Sequence, residues 1–164
     1  YMEVLLKLQN SFSTDIHQML DNSRDREESL EVHIRELREV YQDSVDKLQS
    51  LNEEKDRLKV QFNQVTTQKE QLEQDFFVSL EQLEGNKSND LLNSFIETSK
   101  RQIELKAEYN ALNKASKLFD TAIANMDARI KDIEANRSAL IKGVKVVDIK
   151  GSDLDLIIQE GDLF

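Results

Sequence analysis

Apolar residues recur at alternating spacings of three and four between Leu30 and Leu83, over about eight heptads. Counting in sevens from Leu30 passes through Leu37, Leu51, Leu58 and Leu72. This spacing is typical of a coiled-coil seam, the apolar stripe along which two helices pack. Because one amphipathic helix of this length cannot bury its stripe alone, we expect a partner helix.

A second stripe with the same spacing runs from about residue 91 to residue 141. Between the two stripes, Gly85 can adopt the left-handed conformation that ends a helix, and Ser88 or Asn89 can cap the next one. We therefore predict that residues 30–141 form an antiparallel helical hairpin with its turn at residues 85–90.

The predicted fold class is mainly α: long coiled-coil helices in an antiparallel helical hairpin, followed by a short C-terminal β-hairpin. The two stripes define the candidate coiled-coil residues, which we call seam residues. They are Leu30, Ile34, Leu37, Leu48, Leu51, Leu58, Phe62, Leu72, Phe76, Leu83, Leu91, Phe95, Leu112, Phe119, Ile123, Met126, Ile130, Ile133 and Leu140.

The register of the hairpin follows from pairing Leu83 with Leu91. This register places Ser79 opposite Phe95 and Lys69 opposite Leu105, and it brings oppositely charged residues such as Arg38 and Glu134 together. A parallel homodimer, in which each helix pairs with its own copy, remains the alternative. We interpret Lys55, Lys69 and Arg137, which fall at seam positions, as selectors of register or partner.

Two segments precede the first stripe and make up residues 1–29. Residues 1–20 carry Leu5, Leu8, Phe12, Ile16 and Leu20 at helical spacing, which predicts an amphipathic helix. Residues 21–29 have no apolar side chain, and we expect a solvated helical segment there, with a flexible joint as the alternative. The apolar face of residues 1–20 would be free to mediate dimerisation.

The C-terminal segment, residues 142–164, changes in character. β-Branched residues dominate residues 143–149, turn formers occupy residues 150–153, and a second apolar run follows, which predicts a β-hairpin. Two strands alone are marginally stable in water, so they need a surface to pack on. The candidate partner-binding residues are Val146, Ile149, Leu154, Leu156 and Ile158.

Composition excludes several functional classes. The net charge near −10 argues against nucleic-acid binding, which requires a basic stripe, and no run approaches the roughly 20 apolar residues of a membrane span. The absence of cysteine excludes thiol catalysis and is weakly consistent with the cytoplasm. His17 and His33 are expected on the solvated surface without accompanying metal ligands. We expect no catalytic residues, no cofactor and no metal.

The first functional hypothesis is a non-enzymatic coiled-coil scaffold or tether that mediates oligomerisation and protein–protein interaction. It would act as a homodimer or as a component of a hetero-oligomeric assembly. Its partners would be proteins, without nucleic acid and without direct membrane insertion.

The second hypothesis comes from a resemblance. A long helical hairpin that runs into a segment punctuated by Gly143, Gly151 and Gly161 resembles the periplasmic adaptor proteins of secretion and efflux systems. In that family the hairpin is inserted between the halves of a small β-domain. The resemblance implies a hairpin adaptor, and a β segment upstream of the hairpin in the full-length protein would distinguish it from a scaffold. This sequence lacks a proline where the second helix meets the predicted strands.

Overall fold

The computed structural model describes residues 1–146, which form five helices and no strand. They are α1 (Met2–Ser13), α2 (Ile16–Asp21), α3 (Arg26–Glu81), α4 (Gly85–Ala135) and α5 (Arg137–Ile141). The two long helices, α3 and α4, pack against each other as a helical hairpin. The hairpin prediction is therefore confirmed.

Capping side chains decide where the early helices start. Asp15 accepts hydrogen bonds from the backbone N–H groups of His17 and Gln18, at 3.1 and 3.2 Å, and starts α2. Asp25 accepts from the N–H of Glu28 at 3.1 Å and starts α3. The solvated helical segment expected over residues 21–29 is interrupted: α2 ends at Asp21, residues 22–25 are not helical, and α3 begins at Arg26.

The hairpin reverses at residues 82–84, because a Schellman motif closes α3 there. The N–H of Glu84 donates to Ser79 O at 3.0 Å, and the N–H of Leu83 donates to Leu80 O at 3.1 Å. Leu83 adopts the left-handed conformation with φ 56°. The predicted position of the turn, residues 85–90, is wrong, because Gly85 is the first residue of α4 and residues 85–90 are helical.

The earlier turn shifts the predicted pairing by one heptad. Ser79 Oγ lies 2.6 Å from Ser88 Oγ, whereas the predicted register placed Ser79 opposite Phe95, seven residues further on. A shift of one heptad brings one seam residue opposite another seam position. The apolar period therefore fits both registers equally well, and the turn chemistry decides between them.

Contacts divide the described chain into two compact units. The terminal unit contains residues 1–51 and the described residues from Lys114 onward, and the turn unit contains residues 52–113. In the terminal unit, α1 and α2 pack on both long helices. The Tyr1 ring meets the Phe119 ring edge-on at 6.5 Å, Lys7 lies 3.8 Å from Asp43, and Arg129 donates to Thr14 O at 2.9 Å.

The third layer of helix buries a wide apolar face in the terminal unit. Leu5, Leu8, Phe12, Ile16 and Leu20 are all buried within the chain. Their apolar face is therefore covered by the chain's own helices. The expectation that these five residues leave an apolar face uncovered is wrong, and dimerisation through residues 1–20 stays a prediction.

The described chain ends after α5 with a second Schellman motif. The N–H of Val144 donates to Ala139 O at 2.9 Å, and Gly143 supplies the left-handed residue with φ 80°. Arg26 donates to Leu140 O through Nε and Nη2, at 3.1 and 2.8 Å. The predicted β-hairpin gains no support: residues 142–146 form no strand, and residues 147–164 lie outside the described residues.

Candidate interaction surfaces

The structure places the seam residues in three groups. The buried group is Leu30, Ile34, Leu37, Leu51, Leu58, Phe119, Met126, Ile130, Ile133 and Leu140. The half-buried group is Leu48, Phe62, Leu72, Phe76, Leu91, Phe95, Leu112 and Ile123. Leu83 stands apart, because it lies in the turn and is 92% exposed. The seam prediction does not hold for Leu83.

Polar side chains bridge α3 and α4 within the turn unit. Lys69 Nζ donates to Gln102 Oε1 at 3.2 Å, and Gln102 Nε2 donates to Thr66 Oγ1 at 2.8 Å. The Lys69 ammonium also lies 5.4 Å from the centre of the Phe95 ring, and Lys55 lies 5.7 Å from that of Tyr109. These cation–π and hydrogen-bond contacts account for two lysines at seam positions.

Charged contacts also join α3 to α4 and α5 in the terminal unit. Arg38 forms the predicted ion pair with Glu134. Arg137 pairs with Glu31 at 2.6 Å and lies 3.6 Å from Glu27. These partners are solvent-exposed carboxylates, so each pair contributes at most about 1 kcal/mol to stability.

His33 is buried in the terminal unit, which corrects the expectation of a solvated surface. Burial, followed by the positive charge of Arg129, lowers the pKa of His33 from its usual 6.5 to about 4. Burial also lowers the pKa of Arg129. Within the described residues, His33 Nε2 and Arg129 Nε have no hydrogen-bond partner. Both groups are buried because α1 and α2 widen the core beyond the two-helix seam.

Val146 is the only candidate partner-binding residue that lies within the described part of the chain. It is half-buried, and its carbonyl O and its N lie 3.0 and 3.2 Å from His17 Nε2. His17 is half-buried as well. The other candidates, Ile149, Leu154, Leu156 and Ile158, lie outside the described residues.

The turn unit carries apolar side chains that the seam prediction missed. Phe77, Leu80, Leu92 and Ile96 are exposed, and we call these four residues the turn surface. Three of them are the second members of apolar doublets, namely Phe76-Phe77, Leu91-Leu92 and Phe95-Ile96. In each doublet the first residue is half-buried and the second is exposed. These doublets are the sequence signal for exposed apolar side chains, since a two-helix seam accommodates only one member of each doublet.

Two grooves cross the turn unit. One, of about 370 Å³, is lined by Leu58, Lys59, Phe62, Asn63, Lys106, Tyr109 and Asn110. The other, of about 170 Å³, is lined by Glu73, Phe76 and Phe77 of α3 and by Leu92 and Phe95 of α4. The second groove therefore connects the two helices that carry the turn surface.

Residues 1–146 hold no group of three His, Cys, Asp or Glu side chains arranged to bind a metal ion. None of the five helices combines the length and the apolar character that a membrane crossing requires. Comparison with protein-family models, with curated proteins and with solved structures gives no match.

Proposed function

We propose that this protein is a non-enzymatic helical-hairpin scaffold that binds other proteins within a larger assembly. The observation that carries the proposal is the difference between the two units in how their large apolar side chains are exposed. The terminal unit buries most of its large apolar side chains and exposes only scattered ones such as Leu6 and Val32, whereas the turn unit exposes Phe77, Leu80, Leu92 and Ile96 near one groove. Exposed apolar patches on a folded protein are typical of interaction sites.

The charge of the chain supports protein partners. A net charge near −10 disfavours phosphate backbones and anionic lipid surfaces. Exposed helix faces with mixed charge and apolar residues are suited to helix-on-helix recognition.

Site-specific photo-crosslinking of the full chain in its native cells tests this function. A photoreactive amino acid would replace single exposed residues in each unit, for example Leu6, Val60 and Phe77. The proposal expects discrete adducts with other proteins or with a second copy from at least one position. Absence of any protein adduct at every position, together with a monomeric mass, would contradict it.

A second candidate function is that of a hairpin adaptor in a secretion or efflux system. It is favoured by the helical hairpin itself, the element that this chain shares with the periplasmic adaptors it resembles. The sequence upstream of residue 1 in the full-length gene tests it. A β-rich segment there would favour the adaptor, and further helix would favour the scaffold.

A further inference from the structure

The turn surface continues along both helices of the turn unit. Phe77 and Leu80 lie three residues apart on α3, and Leu92 and Ile96 lie four apart on α4, so each pair shares one face of its helix. The groove lined by Phe76, Phe77, Leu92 and Phe95 lies between them. A shallow apolar groove between two helices is a shape that accepts the apolar face of a third helix.

The turn contains an exposed leucine, Leu83, at a position where glycine would be less strained. Leu83 adopts φ 56° and is 92% exposed, so it gains little from burial. A left-handed conformation costs a residue with a Cβ atom about 1 to 2 kcal/mol. The equivalent position after α5 is Gly143. Leu83 is thus an outlier that packing within the chain does not explain, and such outliers point to function.

Charge identifies the kind of partner. Between residues 73 and 97 the chain has six carboxylates, all exposed, and one lysine, Lys87, which lies 3.5 Å from Glu84. Glu73 lines the groove directly. Like charges across an interface are unfavourable, which disfavours a second copy docking through the same surface and also disfavours an anionic membrane. A cationic partner is the complementary one.

We propose that the turn surface, together with the groove that Phe76 and Phe95 line, docks a basic amphipathic helix of another protein. Apolar side chains of that helix would occupy the groove, and its lysine or arginine residues would face Glu73 and the neighbouring carboxylates. This inference rests on the proposed scaffold function and specifies one surface of it.

The test titrates the full chain, labelled with ¹⁵N, with two synthetic peptides. Each peptide has about 18 residues, enough for five helical turns. Leucines occur at helical spacing in both, and the remaining positions are lysine in one peptide and glutamate in the other. The proposal expects saturable binding of the lysine peptide, weakened by added salt, with amide shift changes centred on residues 73–97. The glutamate peptide should not bind.

Three single variants assign the binding to the surface. Phe77→Ser and Leu80→Ser remove apolar contacts, and we expect each to weaken binding about tenfold, as loss of a central interface side chain does. Val60→Ser is the matched control, since Val60 is on the same helix and is 56% exposed, against 55% for Phe77. Binding should be unchanged in this control. Circular dichroism verifies that all three retain their helices.

Several outcomes would overturn the inference. One is a set of amide shift changes spread evenly along α3 and α4. Another is a Val60→Ser variant that weakens peptide binding as much as Phe77→Ser does. Failure of the lysine peptide to bind at all would also overturn it. Self-association that Phe77→Ser abolishes would identify a second copy as the occupant, and binding to anionic vesicles would identify a lipid surface. If the photo-crosslinking adducts instead occur only at terminal-unit positions, the scaffold function stands and this surface fails.

Discussion

The terminal unit and the turn unit use the same two helices and the same heptad pattern, but they bury very different amounts of side chain. In the terminal unit, α1 and α2 add a third helical layer, and Leu37, Phe119 and Met126 become fully buried. In the turn unit only two helices pack, and the buried large apolar side chains among its residues are Leu58 and Leu105.

The contrast shows what a third helix adds. Two helices share a single narrow contact stripe, so the side chains beside that stripe stay in water. A third helix covers the neighbouring positions as well, which is why Ala115, Leu118 and Ala122 are buried although they lie outside the predicted seam. The terminal unit therefore supplies most of the packing energy, and the turn unit leaves several large apolar side chains exposed.

The largest expected effect is the difference between two phenylalanine truncations. Phe119→Ala in the terminal unit should lower the free energy of unfolding by about 3 to 5 kcal/mol, because it removes a fully buried ring. Phe76→Ala in the turn unit should cost only about 1 to 2 kcal/mol, because that ring is half-buried. Urea denaturation followed by circular dichroism measures both. Equal losses would contradict the contrast between the units.

His33 should make the terminal unit sensitive to acid. The unfolded chain binds a proton at His33 near pH 6.5, whereas the folded chain binds it only near pH 4. The unfolded state therefore holds more protons in this range, and stability falls as the pH is lowered from about 6.5 to about 4. The full loss is roughly 3 kcal/mol.

His33→Leu isolates this effect from the titration of the many carboxylates. As the pH falls through the same range, the wild-type chain should lose more unfolding free energy than His33→Leu, because only the wild type has a buried imidazole to protonate on unfolding. His17→Gln is the control, because it removes the chain's other histidine, which is half-buried whereas His33 is buried. Parallel pH curves for the wild type and His33→Leu would contradict a buried, neutral His33.

The smallest expected effect concerns the two left-handed residues, one in each unit. Gly143→Ala should destabilise the chain by about 1 kcal/mol, because a Cβ atom is strained at φ 80° even though its nearest neighbour, Arg26 Cζ, lies at an acceptable 3.7 Å. Leu83→Gly should stabilise by a few tenths of a kcal/mol, since the relief of strain exceeds glycine's entropic cost. Thermal melts of both variants test this, and a destabilising Leu83→Gly would show that Leu83 packs within the chain.

The sequence predicted the helical hairpin because a period of seven over two long stretches has few other solutions. It did not predict the register, because a shift of one heptad leaves the apolar pattern unchanged. Glycine's preference for the left-handed conformation predicts the turn at Gly85, but Leu83 adopts that conformation instead. The uniformly polar residues 21–29 fit either a helical segment or a joint, and the Asp25–Glu28 capping hydrogen bond starts α3 within that stretch.

A heptad pattern describes two packed helices, so it does not predict that His33 and Arg129 are buried where α1 and α2 add a third layer. The packing of residues 1–20 against α3 and α4 is a long-range contact that no local pattern specifies. The sequence does contain a signal for the turn surface, because a two-helix seam cannot bury both members of the apolar doublets Phe76-Phe77 and Phe95-Ile96.

Disulfide trapping tests the hairpin and its register most directly, because the chain has no cysteine of its own. With Ser79→Cys and Ser88→Cys together, we expect rapid formation of an intramolecular disulfide in a monomer, since the two hydroxyl oxygens lie 2.6 Å apart. Ser79→Cys with Phe95→Cys should not form one. Preferential linkage of Cys at residue 79 to residue 95, or to residue 79 of a second copy, would contradict a reversal at Leu83.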